Sequence, residues 1–139
     1  MSWTCPQCGR TFARTAQTHV CGTWTVDEHL EGADERGRDL FRRFVETVES
    51  CGPFEFAPTR RQIGLRGRRR IFAGVRVTRR GLEGYLDLPG HVRSPRFRHV
   101  APYTKKLSVH HFVLERPEQL DEEFASWIRR SHAVGEGHA

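Results

Sequence analysis

The chain has 139 residues, enough for one hydrophobic core with a small appendage, and its 37% hydrophobic and 29% charged content fits a folded rather than a disordered protein. It holds 23 Lys and Arg against 17 Asp and Glu, a formal net charge of +6. No apolar run approaches the roughly 20 residues of a membrane helix, and no basic-then-apolar leader opens the chain, so a cytoplasmic protein without membrane contact is expected.

The opening stretch SWTCPQCGRTFARTAQTHVCG holds three of the four cysteines. Cys5 and Cys8 form a CxxC turn in which two sulfurs reach one ion, and Gly9 tolerates the bend that follows. His19 and Cys21 offer a second pair. Four N and S donors from one short loop suit tetrahedral Zn2+, with every position filled, so the predicted zinc is structural rather than catalytic. The competing reading is a redox dithiol, which is expected beside a strand–helix unit rather than in a polar terminus. Metal binding would also order a segment too polar to fold alone. The run from Cys8 to Phe12 is like the first half of a Cys2His2 finger, but the gap to His19 is too short for a base-reading helix, so sequence-specific DNA reading is not expected. Residues 1–24 are therefore taken as a zinc-knuckle segment and 25–139 as an α+β domain.

After the knuckle, Thr25 and Glu28 match a capping box for a short helix that Gly32 ends. Leu40, Phe41, Phe44, Val45 and Val48 recur at helical spacing and predict an amphipathic helix over 34–50, stopped by Gly52 and Pro53. Cys51 has no second ligand near it and reads as a plain thiol. The period then falls to two. Ile63 and Leu65 predict a short strand; residues 71–77 and 82–88 alternate as two more, joined at Arg79, Arg80 and Gly81 as a hairpin; residues 107–113 make a fourth. Pro89 to Thr104 reads as a long loop of the length that carries function. Leu120, Phe124, Trp127 and Ile128 predict a last helix over 118–133. The order of elements gives an α+β fold with a mostly antiparallel four-stranded sheet and the C-terminal helix packed on one face.

The stretches WTCPQCGRTF…QTHVCG, TVDEHLEG, IFAGV, SPRFR, VHHFVL and LDEEFASWIRRSHAVG run in order over nearly the whole chain, and together they resemble domain of unknown function 5655 of small bacterial proteins. The resemblance implies an α/β domain preceded by a cysteine-rich knuckle, with Arg60 near the place of a basic residue before the first strand. It implies no biochemical role.

Charge is unevenly spread. Residues 57–114 contain fourteen basic residues and two acids, Glu83 and Asp87, whereas the rest of the chain holds nine basic and fifteen acidic. Only Lys105 and Lys106 are lysine. Guanidinium groups grip phosphates bidentately, and interleaved aromatics stack on bases. Arg60, Arg68, Arg69, Arg70, Arg96 and Arg98 are the candidate contacts to an anionic ligand, nucleic acid first. The bland reading is a solvated edge, or pairing with Glu115, Glu118, Asp121, Glu122 and Glu123. His110 and His111, adjacent on a strand, face opposite sides, one of them a hydrogen-bonded core histidine. His91, His99 and His111 are the candidate small-ligand pocket. Enzyme signatures are missing: no GxSxG, no phosphate-cradling glycine loop, no HExxH, and too few acids in the basic region for a Mg2+ nuclease. The expected function is a zinc-containing binding protein whose arginine-rich face contacts nucleic acid or another anion, with nucleic acid or an acidic protein as the expected partner; the rival is a protein-interaction adaptor that uses the zinc knuckle as its contact surface.

Overall fold

The computed structural model describes residues 2–4, 11–12 and 24–138. Cys5, Cys8, His19 and Cys21, and with them the predicted zinc site, lie outside the described residues. Strands β1 (Trp3–Thr4) and β2 (Thr11–Phe12) pair antiparallel, Trp3 opposite Phe12 and Thr4 opposite Thr11.

Helix α1 (Val26–Leu30) starts at the expected N-cap: the Thr25 hydroxyl oxygen accepts from the Glu28 N–H at 3.1 Å, and in place of the backbone half of a capping box its proton is donated to the Glu28 carboxylate at 3.2 Å. Asp34 caps α2 (Glu35–Cys51), accepting from the Gly37 N–H at 2.7 Å. The helix buries Leu40, Phe41, Phe44 and Val48, and Gly52 ends it at φ +145°, a conformation that L side chains rarely adopt.

The main sheet has six antiparallel strands: β3 (Glu55–Pro58), β4 (Ile63–Arg66), β5 (Ile71–Thr78), β6 (Gly81–Pro89), β7 (Phe97–Pro102) and β8 (Leu107–Leu114), in the spatial order β3-β4-β5-β6-β8-β7. The four strands expected from periodicity are its centre; the two edge strands correct that expectation. β3 is four residues long and ends in Pro58, a residue that alternation argues against in a strand but that an edge accepts. β7 runs through the segment read as a loop. Its period of two is broken because the ladder pairs Phe97 with Phe112 and His99 with His111, leaving Arg98 as an extra residue.

A 3-10 turn over Pro117–Gln119 precedes α3 (Glu122–Gly135), whose N-cap Asp121 accepts from the Phe124 N–H at 3.0 Å. The Gln119 side-chain oxygen takes the N–H groups of Glu115 and Arg116 at 2.6 and 3.0 Å. Those bonds hold the chain in a turn, so the last helix begins four residues later than its apolar spacing suggests.

Helices α2 and α3 pack on each other and on β5 and β6. Between them and the sheet lie Leu40, Phe44, Val48, Val75, Leu82, Leu86, Phe112, Phe124 and Ile128, all at most 2% exposed. A fully buried side chain of this size contributes about 1.5–3 kcal/mol, so this layer supplies most of the fold's stability. The helices cover one face. Of the strand residues of the opposite parity, Arg76, Glu83, Tyr85, His99, His111 and Val113 are half-buried or exposed.

Candidate nucleic-acid interface

The uncovered face is ordered by strand register. Across β5, β6 and β8, Gly74 lies opposite Tyr85 and Tyr85 opposite His111, and His111 in turn faces His99 of β7. Four neighbouring strands thus place one glycine and three rings in a single row. The Tyr85 and His111 ring centroids are 6.2 Å apart, and the His111 and His99 rings stack at 5.6 Å with 26° between their planes. The glycine is required: a Cβ at Gly74 would sit 2.6 Å from Tyr85 Cε1 and 2.8 Å from Gln62 Nε2, so only a bare backbone lets those side chains lie flat.

A second row runs beside the first. Arg76 pairs with Glu83 and Glu83 with Val113, and Arg98 bulges from β7 next to them. Arg76, Glu83, Tyr85, Gln62, Arg98 and His111 together line a shallow hollow of about 240 Å3. Arg76 and Arg98 are separated by three strand spacings, about 14 Å at roughly 4.8 Å each. Both are exposed, and among the described residues neither belongs to an ion pair. Arg98 also borders an adjoining hollow with Arg80, Pro95 and Gln119.

Burial tunes the titrating groups. It pushes the Tyr85 phenol up, helped by the charge of Asp87, and it holds His111 below the usual imidazole range, helped by His99. Asp87 is 5% exposed, and burial raises its carboxyl against the opposing pull of Arg70, whose guanidinium bonds Oδ2 at 2.9 Å. Its Oδ1 is buried without a hydrogen-bond partner among the described residues.

The arginines singled out from sequence are not gathered in one place. Arg60 is exposed in the β3–β4 turn. Arg68 and Arg69 stand in the β4–β5 turn, which is docked on the end of α3: the Arg68 N–H donates to Glu136 Oε2 at 2.8 Å, and the N–H groups of Arg69 and Arg70 donate to the Gly135 carbonyl at 2.8 and 3.2 Å. Arg70 is tied to Asp87 and lies 5.2 Å over the Tyr103 ring. Arg96 is committed to the fold, donating to Asp121 at 2.8 Å, to Glu123 at 3.4 Å and to the Gln119 carbonyl, with its guanidinium over Phe124 and Trp127. Of the six, Arg98 alone lines the hollow.

The histidines divide in the same way. His99 and His111 share the open face, whereas His91 stands edge-on to His110 at 6.2 Å on the other side of the sheet. His110 is fully buried: its Nε2 accepts from the Val92 N–H at 2.9 Å, so the proton sits on Nδ1 and is donated to the Ser108 carbonyl at 2.9 Å. No group of three or more His, Cys, Asp or Glu side chains arranged to hold a metal occurs among the described residues.

Comparison with known families places the domain. The family described as Domain of unknown function (DUF5655) matches residues 26–135, from the first residue of α1 to the last of α3. The chain belongs to that family. No curated protein and no solved structure matches it. The row of rings therefore belongs to the DUF5655 domain itself, as do Arg76 and Arg98. Nothing in the sequence pointed to Tyr85, Gln62 and Glu83 as partners of His111. Alternation along β6 put Tyr85 and Glu83 on one side, but cross-strand register and the Arg98 bulge, which bring His99 and Arg98 to them, have no local signature. None of the described helices is long and apolar enough to cross a membrane.

Proposed function

We propose that the DUF5655 domain of this chain binds single-stranded nucleic acid on the uncovered sheet face, with bases stacked on the Tyr85–His111–His99 row and phosphates held by Arg76 and Arg98. One observation carries this reading: three rings aligned across adjacent strands, flanked by two exposed arginines that form no ion pair among the described residues, with Glu83 as the one acid in the hollow. Rings offer every base a π-face without reading its edge, and each stacked base is worth about 1–3 kcal/mol. Guanidinium groups supply the salt-dependent part of the affinity. The shallow hollow suits an extended strand rather than a duplex, because no described helix stands out from this face to enter a groove. The knuckle adds a structural Zn2+ held by Cys5, Cys8, His19 and Cys21, which orders the segment before α1.

The test is fluorescence anisotropy of a labelled oligothymidine against the full chain. Binding should weaken steeply between 50 and 200 mM salt, by roughly tenfold or more if two or three phosphates are neutralised. The Arg76→Glu/Arg98→Glu double variant should bind at least about tenfold more weakly, which corresponds to about 1.4 kcal/mol. Absence of binding at 50 mM salt, or a flat salt response, would overturn the proposal. Elemental analysis of the purified chain should find one zinc, lost in the Cys5→Ser/Cys8→Ser variant.

A further inference from the structure

A third hollow lies at the β7–β8 turn and the end of α3, lined by none of the residues of the ring row. It is bounded by Arg70, Thr104, Lys105, Lys106, Leu107, Val134 and Gly137, and its volume is about 460 Å3. That is within the roughly 300–1,000 Å3 of small-molecule sites. Leu107 and Val134 form an apolar floor and are almost wholly buried, at 8% and 2% exposure. The only two lysines in the chain stand on its rim, and no acidic residue lines it.

The cationic rim is held in place by the fold. The Tyr103 and Thr104 N–H groups both donate to the Leu107 carbonyl, at 3.0 and 3.1 Å, closing the β7–β8 turn that carries the lysines. The Thr104 hydroxyl oxygen accepts from the N–H groups of Lys106 and Leu107 at 3.2 and 3.0 Å, which leaves its own proton to donate. Arg70 is oriented by Asp87 on one side and the Tyr103 ring on the other. Because Asp87 already balances Arg70, the net positive charge of the hollow comes from Lys105 and Lys106.

The wall formed by the end of α3 does not oppose an anion with bare carbonyls. The carbonyls of His132, Ala133 and Val134 accept from the N–H groups of Glu136, His138 and Gly137, and that of Gly135 accepts from Arg69 and Arg70. Gly137 adopts φ +85°, and a Cβ there would meet Arg69 Cγ at 2.7 Å, so the aliphatic stem of Arg69 closes over the glycine.

An apolar floor beneath two ammonium groups that form no ion pair, and one hydroxyl whose proton has no acceptor, among the described residues is complementary to a hydrocarbon body with an anionic head. The geometry points to a binding site for a small carboxylate-headed amphiphile of the fatty-acid type, its alkyl chain on Leu107 and Val134 and its carboxylate between Lys105, Lys106 and the Thr104 hydroxyl. This site uses none of the residues that line the nucleic-acid face, so the two stand or fall separately.

Octanoate is the probe, added to the full chain with isotope-labelled backbone amides, and octanol and inorganic phosphate are its controls. Octanoate should move the amides of Leu107, Val134 and Gly137 saturably, and Lys105→Glu/Lys106→Glu should weaken it by at least about tenfold, or about 1.4 kcal/mol. Unchanged amide shifts of the core residues Leu86 and Phe112 would show that the variant still folds, and Arg76→Glu/Arg98→Glu should leave octanoate binding as it was. Equal binding of phosphate would overturn the site in favour of a plain cation cluster. Equal binding of octanol would reduce it to a greasy dent, and shifts scattered over the surface would remove it altogether.

Discussion

The two faces of the six-stranded sheet are built from alternate residues of the same strands, yet they obey different rules. On the face beneath α2 and α3, the buried polar side chains His110 and Ser131 have partners inside the fold: His110 is locked between Val92 and Ser108, and the Ser131 hydroxyl donates to the Phe72 carbonyl at 2.8 Å. On the open face, adjacent residues of like chemistry are left available. His111 follows His110 in sequence but is exposed beside His99, and Arg98 follows Arg96 by two positions but lines the shallow hollow. The difference teaches that residue type says little here. Which side of a pleat a side chain takes decides whether it is used inside the fold or left available at the surface.

The strongest way to break this contrast is in the helix-covered layer. Phe44 is fully buried and stacks on Phe112 with ring centroids 5.9 Å apart. Phe44→Ala should cost about 3–5 kcal/mol in urea denaturation, the range for deleting a buried aromatic. A loss below about 1 kcal/mol would mean that α2 is not seated as described.

The arginine pair sharpens the comparison. Arg96→Ala removes charged hydrogen bonds to Asp121 and Glu123 and the cover over Phe124 and Trp127, and it should lower stability by about 1–3 kcal/mol while sparing oligonucleotide affinity. Arg98→Ala should do the reverse, changing stability by less than about 0.5 kcal/mol while weakening binding. Thermal melts and anisotropy on the same two variants check both halves.

Acid separates the two histidines. Burial holds His110 below its ordinary value of 6.5, so the folded state favours the neutral ring. The unfolded chain then takes up a proton that the native site resists, and the stabilisation present above about pH 6.5 is lost as pH falls below it. The melting temperature should therefore drop between pH 7 and 5, and His110→Gln should flatten that drop. For His111 the sign concerns the ligand: its protonation adds positive charge to the open face, so oligonucleotide affinity should rise over the same interval. This is the smallest effect expected, best seen as a ratio of affinities at the two pH values under constant salt.

Much of the fold was legible before any coordinates. The apolar spacing of Leu40, Phe41, Phe44 and Val48 placed α2 to within one residue at each end, and alternation placed the four central strands. Legibility ended where periodicity did. β3 and β7 are edge strands with proline at the last position, and β7 carries a bulge that throws Phe97 under Trp127 and His99 to the other side. The candidate anion contacts shared one charge and one stretch of sequence, but Arg70 and Arg96 are tied to Asp87 and to the start of α3, while Arg76, not among the six, lines the hollow with Arg98.

By itself the sequence determined the element types, the two long helices, the inward parity of the central strands and membership in the DUF5655 family, because apolar periodicity and caps act over a few residues. Only the tertiary structure decided which rings stand side by side, which arginines are consumed by internal acids, and where the two lysines meet an apolar floor. Those outcomes depend on register between strands and on which turns dock against α3, and such contacts join residues too distant along the chain for local patterns to specify.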